Sequence, residues 1–361
     1  MAHRTGTATL PLHTGRAPRW LFRRMTALAR RVTEAVVIEH GPAVFLRRLS
    51  DPFWFQAFGC VLGFDWHSSG VTTTVCGALK QGLAGTETDT GILVAGGKGR
   101  ASRRTPDELR DHAARLGLDG EALVYASRMS AKVDSAALQD GYQIYHHSFF
   151  FTPSGEWAVV QQGMHDEARS ARRYHWLGES VSDFVCEPHA AICAERQEQL
   201  VLDFVAETSA AARSAATEIA RQRPSFVQKE IAQILTLALP ARHHVDLRRD
   251  VSPRNLSKVL LTTYERQPAD FAALLALRGV GAKTIRALAL IAELTHGTPA
   301  SYRDPARFSF AHGGKDGYPY PVDRDSYDQS IDWLREAVAR ARLGDSDRLQ
   351  ALRRLADWEA R

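Results

Sequence analysis

Residues that can bind a metal ion or transfer a proton recur beside strand-like segments in the first half of the chain. The segments GFDWHSSG, YHHSFF, ARRYHW and CEPH place aspartate, glutamate and histidine next to glycine or aromatic residues. Carboxylates and imidazoles that converge on one cavity can hold a divalent cation, which activates water and neutralises a phosphoryl oxygen. The candidate catalytic residues are Asp65, His67, Asp140, His146, His147, His175 and Glu187.

This set predicts a nuclease-like centre with a bound divalent metal ion, Mg²⁺ or Mn²⁺. Arg172 and Arg173 would hold the phosphate of the substrate. Two alternatives stay open: each polar pair can belong to a satisfied buried network, and Cys186, His189 and Cys193 have a zinc-like spacing without a fourth ligand. The predicted metal ligands are Asp65, His67, His147 and His175.

A glycine-containing turn in the second half of the chain has the composition of a phosphate-binding site. It separates two helix-like segments, ADFAALLAL and AKTIRALALIAEL. Two glycines let backbone amides approach a phosphate at a helix N-terminus, and a lysine adds a positive charge. Alternatively, the glycines serve only close helix packing, or the turn contacts another protein. The DNA-binding residues predicted in the turn are Gly279, Val280, Gly281, Lys283 and Thr284.

The stretch from Leu277 to Thr284 resembles the helix-hairpin-helix superfamily of DNA repair and replication proteins. The resemblance implies binding to the DNA backbone without readout of base sequence. The glycosylase branch of that superfamily has a lysine and a later aspartate that Lys283 and Asp323 match. This match implies a glycosylase-lyase as an alternative activity, with a Schiff base at the lysine. The loop before Asp323 is longer than in that branch, which weakens the match.

Basic residues elsewhere could follow a nucleic-acid backbone. Lys98, Arg100, Arg103 and Arg104 lie in GGKGRASRRTP, which lacks the spacing of a phosphate-binding P-loop. A solvated surface loop is the alternative interpretation of this segment. Residues 308–317, within a loop rich in glycine and aromatic residues over 301–323, could clamp a nucleic-acid end, or could form an irregular structural loop without a ligand. The DNA-binding residues predicted outside the turn are Lys98, Arg100, Arg103, Arg172, Arg173 and Lys315.

The pattern of apolar and polar residues predicts an α+β fold with two domains. Residues 1–225 form a mixed domain with a helix over 17–39, a β-containing core that begins over 52–83, a strand in GILVAGGKG and a β-hairpin over 142–164. One long helix is predicted over 190–222. Residues 226–361 form an all-helical, helix-hairpin-helix domain that ends with two helices from residue 324 onward.

Overall composition is that of a globular protein with a modest basic excess. The 361 residues are 44% hydrophobic, and 46 lysines and arginines face 41 aspartates and glutamates, a net charge of +5. This charge suits a polyanionic partner. No apolar run reaches the roughly 18 residues of a membrane helix, and no secretory signal is evident, so we expect a cytoplasmic protein without disulfides and without a membrane partner.

Several segments together resemble an archaeal and bacterial family known only as domain of unknown function 763. They are RTGTATLPLHTGRAPRWLF, DPFWFQAFGCVLGFDWHSSGVTTTVCGALKQGL, YHHSFFF, WAVVQQGM, ARRYHWL and FSFAHGGKDGYPYPVDR. No catalytic residues are assigned in that family, so the resemblance does not identify any in this chain. From the residues themselves we expect a DNA-binding, DNA-processing enzyme, a metal-dependent nuclease of DNA repair. The alternatives are a structure-selective DNA-binding protein without enzymatic activity and the DNA glycosylase-lyase.

Overall fold

A central β-sheet lies between two layers of helices, which confirms the predicted α+β class. No helix in the described residues has the length and apolar character needed to cross a lipid bilayer. The computed structural model describes residues 18–63, 70–165, 170–194, 197–234, 253–306, 308–309, 324–341 and 343–359.

Eight described strands form the central sheet and a small two-stranded ribbon. They are β1 Leu93–Lys98, β2 Leu138–Gln139, β3 Gln143–Phe151, β4 Trp157–His165, β5 Ser170–Leu177, β6 Ala191–Ala194, β7 Leu202–Asp203 and β8 Phe308–Ser309. The sheet has the order β1-β3-β4-β5-β6-β8, and β2 pairs with β7 in the ribbon. All sheet neighbours are antiparallel except β6 and β8. The predicted hairpin is therefore confirmed as β3 and β4, and the GILVAGGKG strand as β1.

Fifteen α-helices lie in the described part of the chain. They are α1 Arg19–His40, α2 Pro42–Ser50, α3 Pro52–Leu62, α4 Gly70–Leu83, α5 Glu87–Thr90, α6 Arg100–Arg103, α7 Thr105–Leu116, α8 Gly120–Lys132, α9 Ala210–Ala220, α10 Pro224–Ile234, α11 Pro253–Arg266, α12 Phe271–Ala276, α13 Ala282–His296, α14 Arg324–Arg340 and α15 Asp345–Glu359. The N-terminal helix and the two closing helices are confirmed.

Each face of the sheet is covered by its own hydrophobic core. One face, including Phe149 and Trp176, packs against α7 to α13. The other face, including Phe150 and Val160, packs against α1 to α4 and the closing helices α14 and α15. Each core thus contains residues from both sides of residue 225, where the sequence predicts a domain boundary.

Two segments have a different secondary structure from the predicted one. Helices α3 and α4 occupy the region in which a β-containing core was expected to begin, because the Asp51 carboxylate accepts hydrogen bonds from the amides of Phe53 and Trp54 and starts α3. The apolar residues of α3 are buried almost all around. The long helix over 190–222 is also wrong: Ala191–Ala194 pairs with β5, so sheet pairing overrides an alanine-rich composition.

Candidate functional site

The segment for which a helix-hairpin-helix is predicted forms α12, a five-residue turn and α13, which together are called the hairpin below. Gly279 has φ +92°, a conformation that favours glycine, and it makes the reversal of the chain possible. Gly281 stands at the N-cap of α13, and no side chain caps that helix. The N-terminus of α13 therefore has backbone amides that are not satisfied by a capping side chain, together with the positive end of the helix dipole.

The predicted residues of the turn divide into exposed and buried groups. Gly279 and Lys283 are exposed, as is the neighbouring Arg278. Val280 is only 2% exposed and Thr284 only 6%, so both pack against the protein interior. The exposed positions can contact a ligand, whereas the buried ones hold the turn in place.

Lys132, at the end of α8, holds the inner side of this turn. Its ammonium donates hydrogen bonds to the carbonyl oxygens of Leu275, Leu277 and Val280, at 2.6, 2.6 and 2.8 Å. These three bonds use all three donors of the ammonium group. Burial lowers the pKa of Lys132 to about 8.

Gln139, in β2, forms further hydrogen bonds with this part of the chain. Its side-chain amide donates to the carbonyl of Ala282 at 2.9 Å and accepts from Arg286 at 2.8 Å. Sequence reasoning did not connect Lys132 or Gln139 with the turn, because both lie about 140 residues before it and no local pattern joins them. Side chains distant in sequence thus hold the carbonyls of the hairpin and leave its glycine-rich side exposed.

The basic segment after β1 forms a second exposed surface. Lys98, Arg100, Arg103 and Arg104 are all exposed, the last three within or beside the short helix α6. The strand before them needs glycine: a Cβ on Gly96 would collide with the carbonyl oxygen of His147. The close pairing of β1 with β3 therefore fixes where this basic segment leaves the sheet.

The histidines predicted to share a metal ion lie on opposite faces of the sheet. His147 faces α8, where its Nε2 is 2.9 Å from the Ser127 hydroxyl, and its Nδ1 is 2.8 Å from Gln161 Oε1. His175 faces the first helices, with Nδ1 2.9 Å from the carbonyl of Leu49. One ion cannot contact both, so the predicted ligand set is wrong in combining them. No group of three or more potential ligands with metal-binding geometry occurs in the described residues.

His146 and its neighbour also point in opposite directions, as successive strand residues must. His146 pairs across the sheet with Gln162, and Gln162 pairs with Arg173, on the face that α1 to α4 cover. Burial lowers the pKa of His146 to about 3. It also lowers the pKa of His147 and of His175, so all three rings are neutral at physiological pH.

Arg172 and Arg173 are buried and cannot reach a DNA backbone, which corrects their predicted role. Arg172 is 0% exposed; its guanidinium donates to Asp140 at 3.1 Å and to both carboxylate oxygens of Asp304 at 3.0 and 2.6 Å. Burial lowers the pKa of Arg172, but the two carboxylates more than offset this effect and raise it overall. Arg173 is 2% exposed and lies 4.5 Å from the ring centre of Phe55.

Asp140 belongs to this same internal network and is not free to act on a substrate. Its carboxylate also accepts a hydrogen bond from the Tyr174 hydroxyl at 2.6 Å. Glu187 differs from the other candidates, because it is exposed and borders a small cavity. Four predicted site residues lie outside the described residues: Asp65, His67, Lys315 and Asp323.

Comparison with protein-family models gives one match, over residues 6–322, to "Protein of unknown function (DUF763)". The chain belongs to this family. The match includes the described residues from α1 to β8 and ends before α14 and α15. No curated protein and no solved structure matches the chain.

Proposed function

We propose that the protein binds DNA through the α12–turn–α13 hairpin, by contacts to the sugar-phosphate backbone. The proposal rests on a difference between the two sides of the turn: one side is hydrogen-bonded within the protein, and the other is exposed. On its inner side, Lys132 binds three carbonyl oxygens. Near its outer side lie exposed Gly279, exposed Lys283 and the N-terminus of α13 without a side-chain cap. Amides at a helix N-terminus and an adjacent ammonium group bind phosphate oxygens well.

The basic segment Lys98 to Arg104 supports the proposal as a second contact region. It contributes four exposed cations within seven residues. Each cation that meets a phosphate releases a bound counterion, so binding must weaken as salt increases. Contacts to the sugar-phosphate backbone carry no base-sequence information, so we expect binding that depends little on base sequence.

The proposal is tested by fluorescence anisotropy with labelled single-stranded and duplex oligonucleotides over a series of salt concentrations. We expect log Kd to rise linearly with log salt concentration. In Gly281→Glu, an added Cβ meets nothing within 4 Å, so the fold tolerates the new side chain while its carboxylate repels phosphate. We expect affinity to fall at least about tenfold.

The matched control for this variant is Gly344→Glu, since Gly344 also has open space around an added Cβ and is exposed. Both variants change the net charge by the same amount. If Gly281→Glu and Gly344→Glu bind DNA equally well, the hairpin is not the binding site. If the unmodified protein binds neither oligonucleotide, the proposal fails altogether.

A metal-dependent nuclease and a glycosylase-lyase remain predictions. Of the ligands predicted for the nuclease, His147 and His175 are separated by the sheet, and Asp65 and His67 lie outside the described residues. The lyase depends on Lys283 together with Asp323, and Asp323 is also outside them. DNA binding is the function that the described residues support best.

A further inference from the structure

The basic segment Lys98 to Arg104 lies at the same end of the central sheet as the start of β3. The segment begins at the C-terminal end of β1, and the amide of Gly99 donates a hydrogen bond to the carbonyl oxygen of Tyr145 at 2.8 Å. Tyr145 is the third residue of β3, which is antiparallel to β1. The basic segment therefore leaves the sheet where β3 begins.

The hairpin is attached to the same end of the sheet by the residues that precede β3. Gln139 donates to the carbonyl oxygen of Ala282, the first residue of α13, at 2.9 Å. Tyr145 follows Gln139 by six positions, and six residues span at most about 21 Å when fully extended. The chain is not fully extended here, because it bends at Gly141, which has φ +89°. The basic segment and the hairpin are therefore about 30 Å apart or less.

Helix α8 connects the same two regions by a second route. Thr105, the first residue of α7, directly follows the basic segment, and its hydroxyl lies against Gly96 beside the carbonyl of His147. The His147 ring is in turn 2.9 Å from the hydroxyl of Ser127 in α8. Five residues further along α8, about 7.5 Å, Lys132 binds the turn of the hairpin. Both routes place the two regions side by side.

An exposed arginine on α8 lies between these two attachments. Arg128 directly follows Ser127 and precedes Lys132 by about one helical turn, so it is about 6 Å from Lys132 along the helix surface. The side chain of Arg128 is exposed, like Arg278 and Lys283 in the hairpin. The cations of the basic segment, Arg128 and the cations of the hairpin thus form one basic surface.

The extent of this basic surface matches a short duplex. Duplex DNA repeats every 34 Å or so, about 10 base pairs, and it carries one negative charge per roughly 1.7 Å of helix axis. A surface about 30 Å long therefore faces slightly less than one turn of duplex and meets enough phosphates to pair every exposed cation. A duplex of about 6 base pairs, roughly 20 Å long, is too short to contact both ends of the surface.

The aromatic residues near this surface favour a duplex over a single strand. Sites for single strands have accessible aromatic rings on which unpaired bases stack. Tyr142 is only 4% exposed, and the ring centre of Tyr145 is 5.6 Å from the ammonium of Lys98. The ring of Tyr125 packs at a right angle against Phe184, with the ring centres 5.5 Å apart. The surface therefore has cations for phosphates, whereas its aromatic rings contact the protein.

We propose that the basic segment, Arg128 and the hairpin form a single surface that binds about one turn of duplex DNA. Arg128 is a phosphate contact between the two outer regions. This inference rests on the proposed DNA binding by the hairpin. It adds the form of DNA that binds, the length of duplex that is needed and a contact residue that belongs to neither region.

The length of duplex is tested by fluorescence anisotropy of the full chain with labelled duplexes of about 6, 12 and 24 base pairs. Each duplex is closed at one end by a short linker, so that the shortest stays paired. We expect affinity to rise at least about tenfold from the first to the second length and by less than about threefold from the second to the third. A single strand of the middle length should bind at least about tenfold more weakly than its duplex. Equal affinity for the two shorter duplexes, or for single strand and duplex, overturns the proposal.

The contact at Arg128 is tested by Arg128→Gln with the duplex of about 12 base pairs. We expect the slope of log Kd against log salt concentration to decrease by about one and affinity at low salt to fall about fivefold. Arg353→Gln is the matched control, because Arg353 is an exposed arginine on α15, which packs on the other face of the sheet. Equal slopes in the two variants overturn the assignment of Arg128.

The variant Gly281→Glu distinguishes failure of this inference from failure of the proposed function. If Gly281→Glu weakens binding but Arg128→Gln and a shorter duplex do not, the hairpin binds DNA and the extended surface is wrong. If Gly281→Glu binds as tightly as Gly344→Glu, the hairpin is not the binding site, and this inference fails with the proposed function.

Discussion

The hairpin turn and the polar residues of the sheet contain similarly suggestive residue types, but the protein uses them differently. In the sheet, Arg172, His147 and Asp140 are buried and form hydrogen bonds with one another or with neighbouring side chains. In the turn, Gly279 and Lys283 are exposed. Residue type alone therefore does not identify a binding site. What matters is whether the folded chain uses the polar group internally or leaves it accessible.

The largest expected effect is a loss of stability when the buried network of Asp140, Arg172 and Asp304 is broken. Arg172→Met removes the cation between Asp140 and Asp304 and leaves two buried carboxylates without compensation. We expect the free energy of unfolding to fall by about 3–5 kcal/mol. Urea denaturation measures this loss, and anisotropy of the folded variant should give an unchanged DNA affinity. Arg335→Met breaks an exposed ion pair and should cost less than about 0.5 kcal/mol. Equal losses of unfolding free energy in the two variants would contradict the distinction between the buried network and exposed ion pairs.

A change at Lys132 should reduce both the stability of the protein and its affinity for DNA. Lys132→Met leaves three carbonyl oxygens of the turn without their donor, so we expect a loss of about 2 kcal/mol in unfolding free energy. Because the turn loses its support, DNA affinity should fall about tenfold. Lys229→Met removes an exposed lysine from α10 and is the matched control. A Lys132→Met protein with the affinity of the control would show that the turn does not need its inner lysine.

The buried histidines predict how stability depends on pH. The folded-state pKa of His146 is about 3, below the value of 6.5 in an unfolded chain. The unfolded chain therefore binds the proton first, and the stabilisation present above pH 6.5 is lost as the pH falls toward 3. In His146→Gln, the slope of unfolding free energy between pH 6 and pH 4 should be smaller by about 1.4 kcal/mol per pH unit. His296→Gln, at an exposed position, should leave the slope unchanged.

The smallest effect concerns a single charge at the turn. Lys283→Gln removes one exposed ammonium and should weaken DNA binding by about 1 kcal/mol at low salt. In this variant the slope of log Kd against log salt concentration should decrease by about one, because one fewer counterion is released on binding. Unfolding free energy should stay within about 0.5 kcal/mol of the parent. A large loss of stability with unchanged salt dependence would place Lys283 in the fold and not at the DNA surface.

Contiguous patterns were the part of the fold that could be predicted from the sequence. The β3–β4 hairpin and the helices on either side of Gly279 each lie within one stretch of chain, so local periodicity and turn residues suffice. The segment Ala191–Ala194 could not be predicted in this way, because its pairing with β5 is a tertiary interaction that overrides its helical composition.

The candidate site could be predicted from the sequence only where its residues lie close together in the chain. The turn was found, but its support by Lys132 was not, because the bonds join residues far apart in the chain. The proposed ligand set failed for a related reason. His147 and His175 are both on strands, and the face to which each points depends on register, which residue type does not reveal.

Amide-resolved NMR during titration with a duplex oligonucleotide is the most direct test of binding by the hairpin. We predict that the amide signals of Gly279, Gly281 and Ala282 shift in proportion to DNA bound, and that in Gly281→Glu the signals of Gly279 and Ala282 shift only at DNA concentrations at least about tenfold higher. Saturable binding that leaves these three amides unchanged in the unmodified protein, and shifts signals elsewhere, would contradict the account.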